Sequence, residues 1–220
     1  AVGREAKAME GRTPDDVILV RPLKRGIIHD FEITEAIIRY FIEQYHQRSM
    51  LVRPRLVVAV PHGVSEVTRR AVFESAETAG ARDVILVDAP LAAAIGADVP
   101  VMQSRGIILV DLGASGSTAS LISMGRIVIH RKCEAGGDRM DDDIIQFVKQ
   151  KRGLLIGENL AERLKCTLGS VRVGEFRQGL EVRGRDLTDG LPRAISVNSD
   201  EVSDTLAPEI EEIEKLVVDT

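Results

Sequence analysis

The sequence predicts an α/β protein in which helices cover a sheet on both of its faces. The first observation is an alternation along the chain: apolar runs of strand length at residues 56–60 and 84–87 are each followed by a helical pattern. The second is that both runs are continuously apolar, which is typical of strands buried on two faces. The third is the composition of the 220 residues, 44% hydrophobic and 29% charged, which is typical of a folded globular domain. A layered α/β fold follows.

The N-terminal residues are predicted to form the remnant of a small subdomain, followed by a helix. Residues 4–11 have a helical pattern, and residues 17–20 form an apolar run. After a connector at residues 26–31, Thr34 is the predicted cap of a helix. Apolar residues recur at helical spacing along that helix and predict a buried face: Ile37, Ile38, Phe41, Ile42 and Tyr45.

The loop at residues 48–55 has an apolar tip. Met50, Leu51 and Val52 are flanked by arginine on both sides. Apolar side chains at a loop tip can enter the acyl boundary of a membrane while arginine contacts anionic headgroups. The alternative is that these side chains cap the protein core. The residue pattern alone leaves both interpretations open.

The two central strands are each followed by a loop that can contribute to a site. Pro61-His62-Gly63 and Asp88-Ala89-Pro90 both precede predicted helices, and Ser65 is the predicted cap of the first helix. Ligands of α/β folds bind beyond the carboxyl ends of the strands. We therefore expect these two loops and the turn at residues 113–117 to converge on one cleft.

Residues 106–129 predict a β-meander whose first turn is rich in small residues. Backbone N–H groups in such a turn can cradle a phosphate, and Asp111 at the end of the first strand can hold a metal ion through water. The alternative is an ordinary Gly/Ser hairpin turn, because the Lys-Ser/Thr pair of a P-loop is absent and a strand follows instead of a helix. The turn consists of Gly113, Ala114, Ser115, Gly116 and Ser117.

A glycine pair precedes the next predicted helix. Free N–H groups after Gly136 and Gly137, with Asp138 as the cap, suit an anion or the edge of a ribose. The alternative is a capped helix start with no ligand. A later helix has Glu162 and Lys165 three residues apart on one face, for which a solvated ion pair is the alternative interpretation.

Charge and cysteine content exclude several classes of protein. The net charge of -5 argues against nucleic acid as the main partner. No apolar run approaches the length of a membrane span, and no signal-peptide pattern is apparent. Cys133 and Cys166 fit no metal-binding spacing and indicate a reducing compartment. These observations predict a cytoplasmic protein.

A series of motifs, taken in order, resembles the MreB family of bacterial actin homologues, which determine rod shape. The resemblance runs over essentially all 220 residues and is more specific than any single glycine turn. Among its motifs are Arg21-Pro22-Leu23-Lys24, Arg53-Pro54-Arg55, Pro90-Leu91-Ala92-Ala93-Ala94-Ile95-Gly96, Gly137-Asp138-Arg139-Met140-Asp141, Leu155-Ile156-Gly157-Glu158 and Gly190-Leu191-Pro192-Arg193.

The resemblance implies part of an actin-like, ribonuclease H-like fold with two lobes around an ATP cleft. It places subdomain IB at residues 1–23, IA at 24–105, IIA at 106–144, IIB at 145–205 and a return to IIA at 206–220. It implies filaments under the inner membrane that determine cell shape and guide wall synthesis. The implied partners are other copies of the protein, the inner membrane surface, and proteins of cell shape and wall synthesis.

The resemblance also assigns ligands by position. It implies ATP with Mg²⁺, the metal ion being held through water by Asp111, and a membrane-inserting loop at Met50, Leu51 and Val52. The residues from Asp111 to Ser117 would grip the β- and γ-phosphates. The remaining implied nucleotide contacts are Gly136, Gly137 and Asp138 along the ribose and phosphates, and Glu162 and Lys165 beside the adenosine.

Departures from the family pattern concern hydrolysis. Thr68 stands where the family has the glutamate that orients the attacking water, and the loss of such help costs about 10²–10⁴-fold in rate. Ala114 and Ser115 replace glycines, so we expect their side chains to crowd the phosphate and to restrict positive φ. The N-terminal Asp-x-Gly-Thr hairpin and the C-terminal adenosine motif of the family do not occur in these residues, so we expect a fragment or a truncated, degenerate relative.

Two other functions stay open. One is a phosphotransferase or chaperone-type ATPase on the same fold. The other is a scaffold that binds shape-determining proteins without hydrolysing ATP.

Overall fold

A computed structural model of the chain describes residues 1–9, 13–14, 16–24, 27–45, 53–172, 174 and 178–220. Helices and strands alternate along most of this part, as the α/β prediction requires. In chain order its elements are α1 (Arg4–Ala8), β1 (Leu23–Lys24), β2 (Ile27–Ile28), α2 (Phe31–Tyr45), β3 (Arg55–Val60), α3 (Glu66–Thr78), β4 (Asp83–Asp88), α4 (Ala89–Gly96), β5 (Ile107–Leu112), β6 (Ser117–Ser123), β7 (Arg126–Cys133), α5 (Gly137–Arg152), β8 (Leu154–Leu155), α6 (Glu158–Leu168), β9 (Gly179–Asp186), β10 (Pro192–Asn198) and α7 (Ser199–Val218).

The chain forms two compact units. Unit 1 consists of Ala1–Leu109 and Ser120–His130, and unit 2 consists of Val110–Ala119 and Arg131–Thr220. The finer division into four subdomains stays a prediction. None of the helices in the described part is long and apolar enough to cross a membrane.

In unit 1, β3 and β4 pair in parallel, with Leu56 opposite Val84. The helix between them, α3, is capped as predicted: the Ser65 side chain accepts a hydrogen bond from the N–H of Thr68. The buried residues Val72 and Ala76 of α3 pack against the two strands. This packing fixes the loops that follow the carboxyl ends of β3 and β4.

Three expectations about unit 1 are wrong. The helix α2 begins at Phe31, and its start is held by Asp30, whose Oδ1 accepts from the N–H of Ile33, so Thr34 is not the cap. The predicted apolar face is not fully buried either, because Tyr45 is 87% exposed. The sheet of β3 and β4 is likewise not covered on both faces within the described residues, since Val57 is 60% exposed.

The predicted meander is present as a three-stranded sheet in the order β5-β6-β7. Met124 and Gly125, both at positive φ, form the two-residue turn between β6 and β7, as in a type I′ hairpin. Ile122 of β6 is fully buried with Ala94 and Val101. The turn between β5 and β6 lies at residues 113–116 and belongs to unit 2.

Unit 2 is built on the antiparallel pair β9 and β10, with β8 beside β9. Helices α5, α6 and α7 pack together over one core, and α7 starts with a capping box between Asn198 and Glu201. Because this core holds α5 and α6 side by side, it positions the first turn of α5 near α6. The fully buried residues of the core include Ile144, Val148, Leu154, Leu164, Val182, Val197 and Val202.

Candidate functional site

The turn after β5 and the start of α5 are in direct contact in unit 2. The N–H of Gly137 donates to the carbonyl oxygen of Gly113 at 3.0 Å, and the N–H of Asp138 donates to that of Ala114 at 2.7 Å. The turn is itself closed by a hydrogen bond from the N–H of Gly113 to the carbonyl oxygen of Gly116 at 3.1 Å. The structure thus joins the two segments that the sequence singled out.

This contact corrects two expectations about the helix start. The N–H groups of Gly137 and Asp138 are not free, because both donate to the turn. Asp138 is not the cap either: Gly136 occupies the N-cap position, and Asp138 lies in the first turn. The turn carbonyls therefore cap α5 in place of a side chain, and they place the positive end of the helix dipole behind the turn.

Glycine is required where the two backbones meet. A Cβ on Gly136 would lie 2.5 Å from the backbone nitrogen of Gly116 and 2.7 Å from the carbonyl oxygen of Ala114. Gly116 has a φ of +150°, which side chains rarely adopt, and a Cβ there would lie 2.7 Å from the carbonyl oxygen of Cys133. The close approach of the two backbones therefore explains why residues 116 and 136 are glycines.

The outer side of the turn can accept an anion. Ala114 and Ser115 are exposed, and their N–H groups make no hydrogen bond to any part of the chain that the structure describes. Neither residue has a positive φ, so the expected restriction of positive φ does not strain the backbone at these positions. Successive unpaired N–H groups in front of a helix N-terminus favour negative charge. The arrangement fits a phosphate group.

The side chains of the turn divide into exposed and buried ones. Asp111, at the end of β5, is exposed, which fits a carboxylate that holds a hydrated Mg²⁺ beside a phosphate. Ser117 is 1% exposed, and its hydroxyl donates to the carbonyl oxygen of Ala135 at 2.7 Å. Ser117 therefore fastens the turn to the segment before α5 and is not available to a ligand at the surface.

A lysine from α6 joins the start of α5. The Nζ of Lys165 donates to the carbonyl oxygen of Gly137 at 2.9 Å and lies 2.8 Å from Oδ2 of Asp141. Both side chains are largely buried, at 18% and 14% exposed. Lys165 thus forms its ion pair with Asp141. The alternative interpretation of the sequence expects a pair with Glu162, which lies partly buried on the same helix.

Asp141 is a site residue that the sequence interpretation missed. Burial raises the pKa of Asp141, while the hydrogen bond and the charge of Lys165 oppose that rise. Its second oxygen, Oδ1, is buried without a hydrogen-bond partner in the described part of the chain. The available signal was its position four residues after Gly137, which places both on one face of α5.

The residue proposed for hydrolysis lies in unit 1. Thr68 is in the first turn of α3, partly buried, and its Oγ1 lies 3.0 Å from Oγ of Ser65. The loops after β3 and β4 do meet in this unit, because Nδ1 of His62 lies 3.4 Å from Oδ1 of Asp88. Met50, Leu51 and Val52, the predicted membrane loop, lie outside the described residues.

Comparisons with known proteins agree on one family. A sequence model of a protein family described as MreB/Mbl protein matches residues 1–220. Over 207 residues the chain is 45% identical to the cell shape-determining protein MreB of Escherichia coli (strain K12), a match that covers 94% of this chain and 60% of that protein. The chain thus spans about three fifths of the length of this curated relative.

Two solved proteins have similar structures. MreB5 of Spiroplasma citri, in crystal structures bound to ADP and to AMPPNP, has a TM-score of 0.92 and 29% identity, with 100% of this chain and 66% of that one covered. The MamK double helical filament has a TM-score of 0.74 and 19% identity over 98% of this chain and 66% of its own. At that identity the likeness to MamK concerns the fold, which is actin-like in this chain.

Proposed function

Because the chain belongs to the MreB/Mbl protein family, we propose that it is part of an ATP-binding, filament-forming protein that determines cell shape. The observation that carries this proposal is the pair of hydrogen bonds between the Gly113–Ala114 carbonyls and the start of α5. They hold a turn with two unpaired N–H groups in front of a helix dipole, where a phosphate chain is favoured. MreB5, a relative with the same fold, binds ADP and AMPPNP.

We propose specific roles for the residues of unit 2. The N–H groups of Ala114 and Ser115 bind the β- and γ-phosphates, and Asp111 holds Mg²⁺ through water. Lys165 has two of its three N–H donors committed to Gly137 and Asp141, which leaves one for the nucleotide. Glu162 lies one turn before it on α6 and is the proposed adenosine contact.

We further propose that hydrolysis is slow. A threonine hydroxyl orients water by hydrogen bonding but is no base at neutral pH, so Thr68 supplies less help than the glutamate of the family pattern. Slow hydrolysis keeps the protein in its ATP-bound state for longer. On this proposal, nucleotide state regulates assembly, and turnover of ATP is a minor activity.

The remaining parts of the proposal concern partners. Self-association into filaments is the expected assembly, at the inner face of the cytoplasmic membrane and together with proteins of cell shape and wall synthesis. Met50, Leu51 and Val52, between arginine residues, are the proposed membrane contact. The chain's net charge of -5 argues against nucleic acid as the main partner.

Electron microscopy of the full-length gene product tests the assembly. With ATP and Mg²⁺ we expect protofilaments, and omission of the nucleotide should reduce their number. A scaffold that does not hydrolyse ATP is favoured by Thr68 and would form the same filaments without releasing phosphate. A phosphotransferase or chaperone-type ATPase would form none, and that result would overturn the proposal.

A further inference from the structure

The side chain of Arg139, at the start of α5, contacts α7, a helix that lies far from it along the chain. Nε of Arg139 lies 2.9 Å from Oε1 of Glu209, and Nη1 lies 3.1 Å from Oε2 of Glu212, both on α7. Arg139 follows directly after Asp138, whose N–H donates to the turn. Two carboxylates of α7 therefore hold the residue next to the turn contact.

Glu212 also holds the chain on the other side of the glycine pair. Its Oε1 accepts from the N–H of Glu134 at 3.3 Å. One side chain of α7 thus contacts the chain both before and after the segment from Ala135 to Asp138, which carries the hydrogen bonds to the Gly113 and Ala114 carbonyls. A single carboxylate at this place limits how far the segment can shift.

Glu209 is buried at an energetic cost. It is 2% exposed, and its Oε2 has no hydrogen-bond partner in the part of the chain that the structure describes. Asp143 and Glu212 add negative charge around it, against the single guanidinium of Arg139, and burial raises its pKa. A buried carboxylate with an unpaired oxygen contributes little to stability compared with an apolar residue. Its contact with Arg139 is then better explained by a requirement of geometry.

We infer that Glu209 and Glu212 are positioning residues: through Arg139 and Glu134 they hold the start of α5 against the Gly113–Ala114 turn, so that α7 sets the nucleotide affinity of the turn. This inference rests on the proposed function for its nucleotide part. The positioning itself is a property of the chain alone. This positioning makes the placement of α7 against α5 a determinant of phosphate binding, although α7 contributes no proposed ligand contact.

The test uses Glu212→Ala in the full-length protein, because Glu212 is partly exposed and its removal leaves the core intact. Glu214→Ala, an exposed residue of the same helix, is the matched control. Amide hydrogen exchange without nucleotide is measured at Gly137 and Asp138, and at Val182 in the core as a reference for global stability. ATP affinity is measured separately by calorimetry.

We expect Glu212→Ala to accelerate exchange at Gly137 and Asp138 about tenfold, with little change at Val182, and to weaken ATP binding by a similar factor. Glu212→Gln, which keeps the hydrogen-bonding shape, should restore part of both losses. If Gly137 and Asp138 exchanged no faster in Glu212→Ala than in the control Glu214→Ala, the inference would be overturned. If the wild-type protein bound no ATP, the proposed function would fail, while the exchange data would still decide the positioning role.

Discussion

The backbone N–H of Asp138 donates a 2.7 Å hydrogen bond to the carbonyl oxygen of Ala114. With the parallel bond from Gly137 to Gly113, it joins a hairpin turn to a helix N-terminus through main-chain atoms. The donor groups used here are those that the helix would otherwise offer to an anion. The binding of phosphate is thereby shifted to the turn, and the turn's geometry depends on how closely the two backbones approach.

Gly136→Ala tests that approach. The new Cβ would meet the backbone of Gly116 and Ala114 at 2.5 and 2.7 Å, and these atoms cannot rotate away as a flexible side chain would. We expect the turn and the helix start to separate, and the ATP affinity of the full-length protein to fall about tenfold, equal to roughly 1.4 kcal/mol. Isothermal titration calorimetry measures the change.

Gly157→Ala is the matched control for this substitution. Gly157 is also the N-cap of a helix with an extended backbone, but no atom lies within 4 Å of the position of its Cβ. Its ATP affinity should stay at the wild-type value. Equal losses in the two variants would contradict the steric explanation.

Lys165→Met tests the link between α6 and the start of α5. The substitution leaves the largely buried carboxylate of Asp141 without its cation, and we expect the free energy of unfolding to fall by about 1–3 kcal/mol. Denaturant unfolding measures this, with Arg163→Met, an exposed cation of the same helix, as the control. In a double-mutant cycle with Asp141→Asn, the two losses should not add. Full additivity would show that the pair is not coupled.

Elements and their order were predictable from the sequence where local patterns decide them. The helix α6, Glu158–Leu168, contains Glu162 and Lys165 as predicted, because its apolar spacing and the glycine on either side are local signals. The meander turn and the glycine pair before α5 were likewise identified from their own residues. The family assignment rested on many such motifs and is confirmed by the match over residues 1–220.

Partners distant in the chain were not predictable in the same way. The capping of α5 by the carbonyls of Gly113 and Ala114 needs backbone atoms from another element, so the pattern favoured Asp138 as a local cap. The contact of Arg139 with Glu209 joins two helices that no periodicity connects. The exposure of Tyr45 was missed because an apolar stripe predicts a buried face without showing what covers it.

The pH dependence of stability should reveal the cost of burying Glu209. Burial raises the pKa of Glu209 in the folded protein above its ordinary value of 4.5, although Arg139 opposes the rise. Well below pH 4.5 the carboxyl is protonated in both states, so it contributes no difference. As the pH rises from there through the folded pKa, the unfolded state ionises first and the folded state loses stability.

Glu209→Gln removes this titration. We therefore expect the variant's free energy of unfolding, relative to wild type, to increase as the pH is raised from 4 to 7. Urea denaturation at each pH measures it, and Glu211→Gln, exposed on the same helix, should show no such trend. A relative stability that falls with rising pH would mean that Arg139 outweighs burial.

Leu51→Glu tests the proposed membrane loop. A carboxylate in the proposed membrane loop cannot enter the acyl boundary and is repelled by anionic headgroups, so binding of the full-length protein to liposomes should fall several-fold. Co-sedimentation with liposomes containing anionic lipid measures it. Ser49→Glu adds the same charge to the same loop without removing an apolar side chain, and it should lose less. Equal sedimentation of Leu51→Glu and wild type would remove the loop from the proposal.

Thr68→Glu tests the proposed weakening of hydrolysis. Thr68 is the third residue of α3, and its N–H already donates to the capping side chain of Ser65. A glutamate at this position completes a capping box, so the variant should fold at least as stably as wild type.

If the carboxylate orients the attacking water, the rate of phosphate release by the full-length protein should rise about tenfold or more. Thr68→Gln, which also completes the capping box but is not basic, separates the two effects: it should share the gain in stability and leave the rate unchanged. An equal rate in wild type and Thr68→Glu, with ATP bound in both, would show that Thr68 does not occupy the position of the catalytic glutamate.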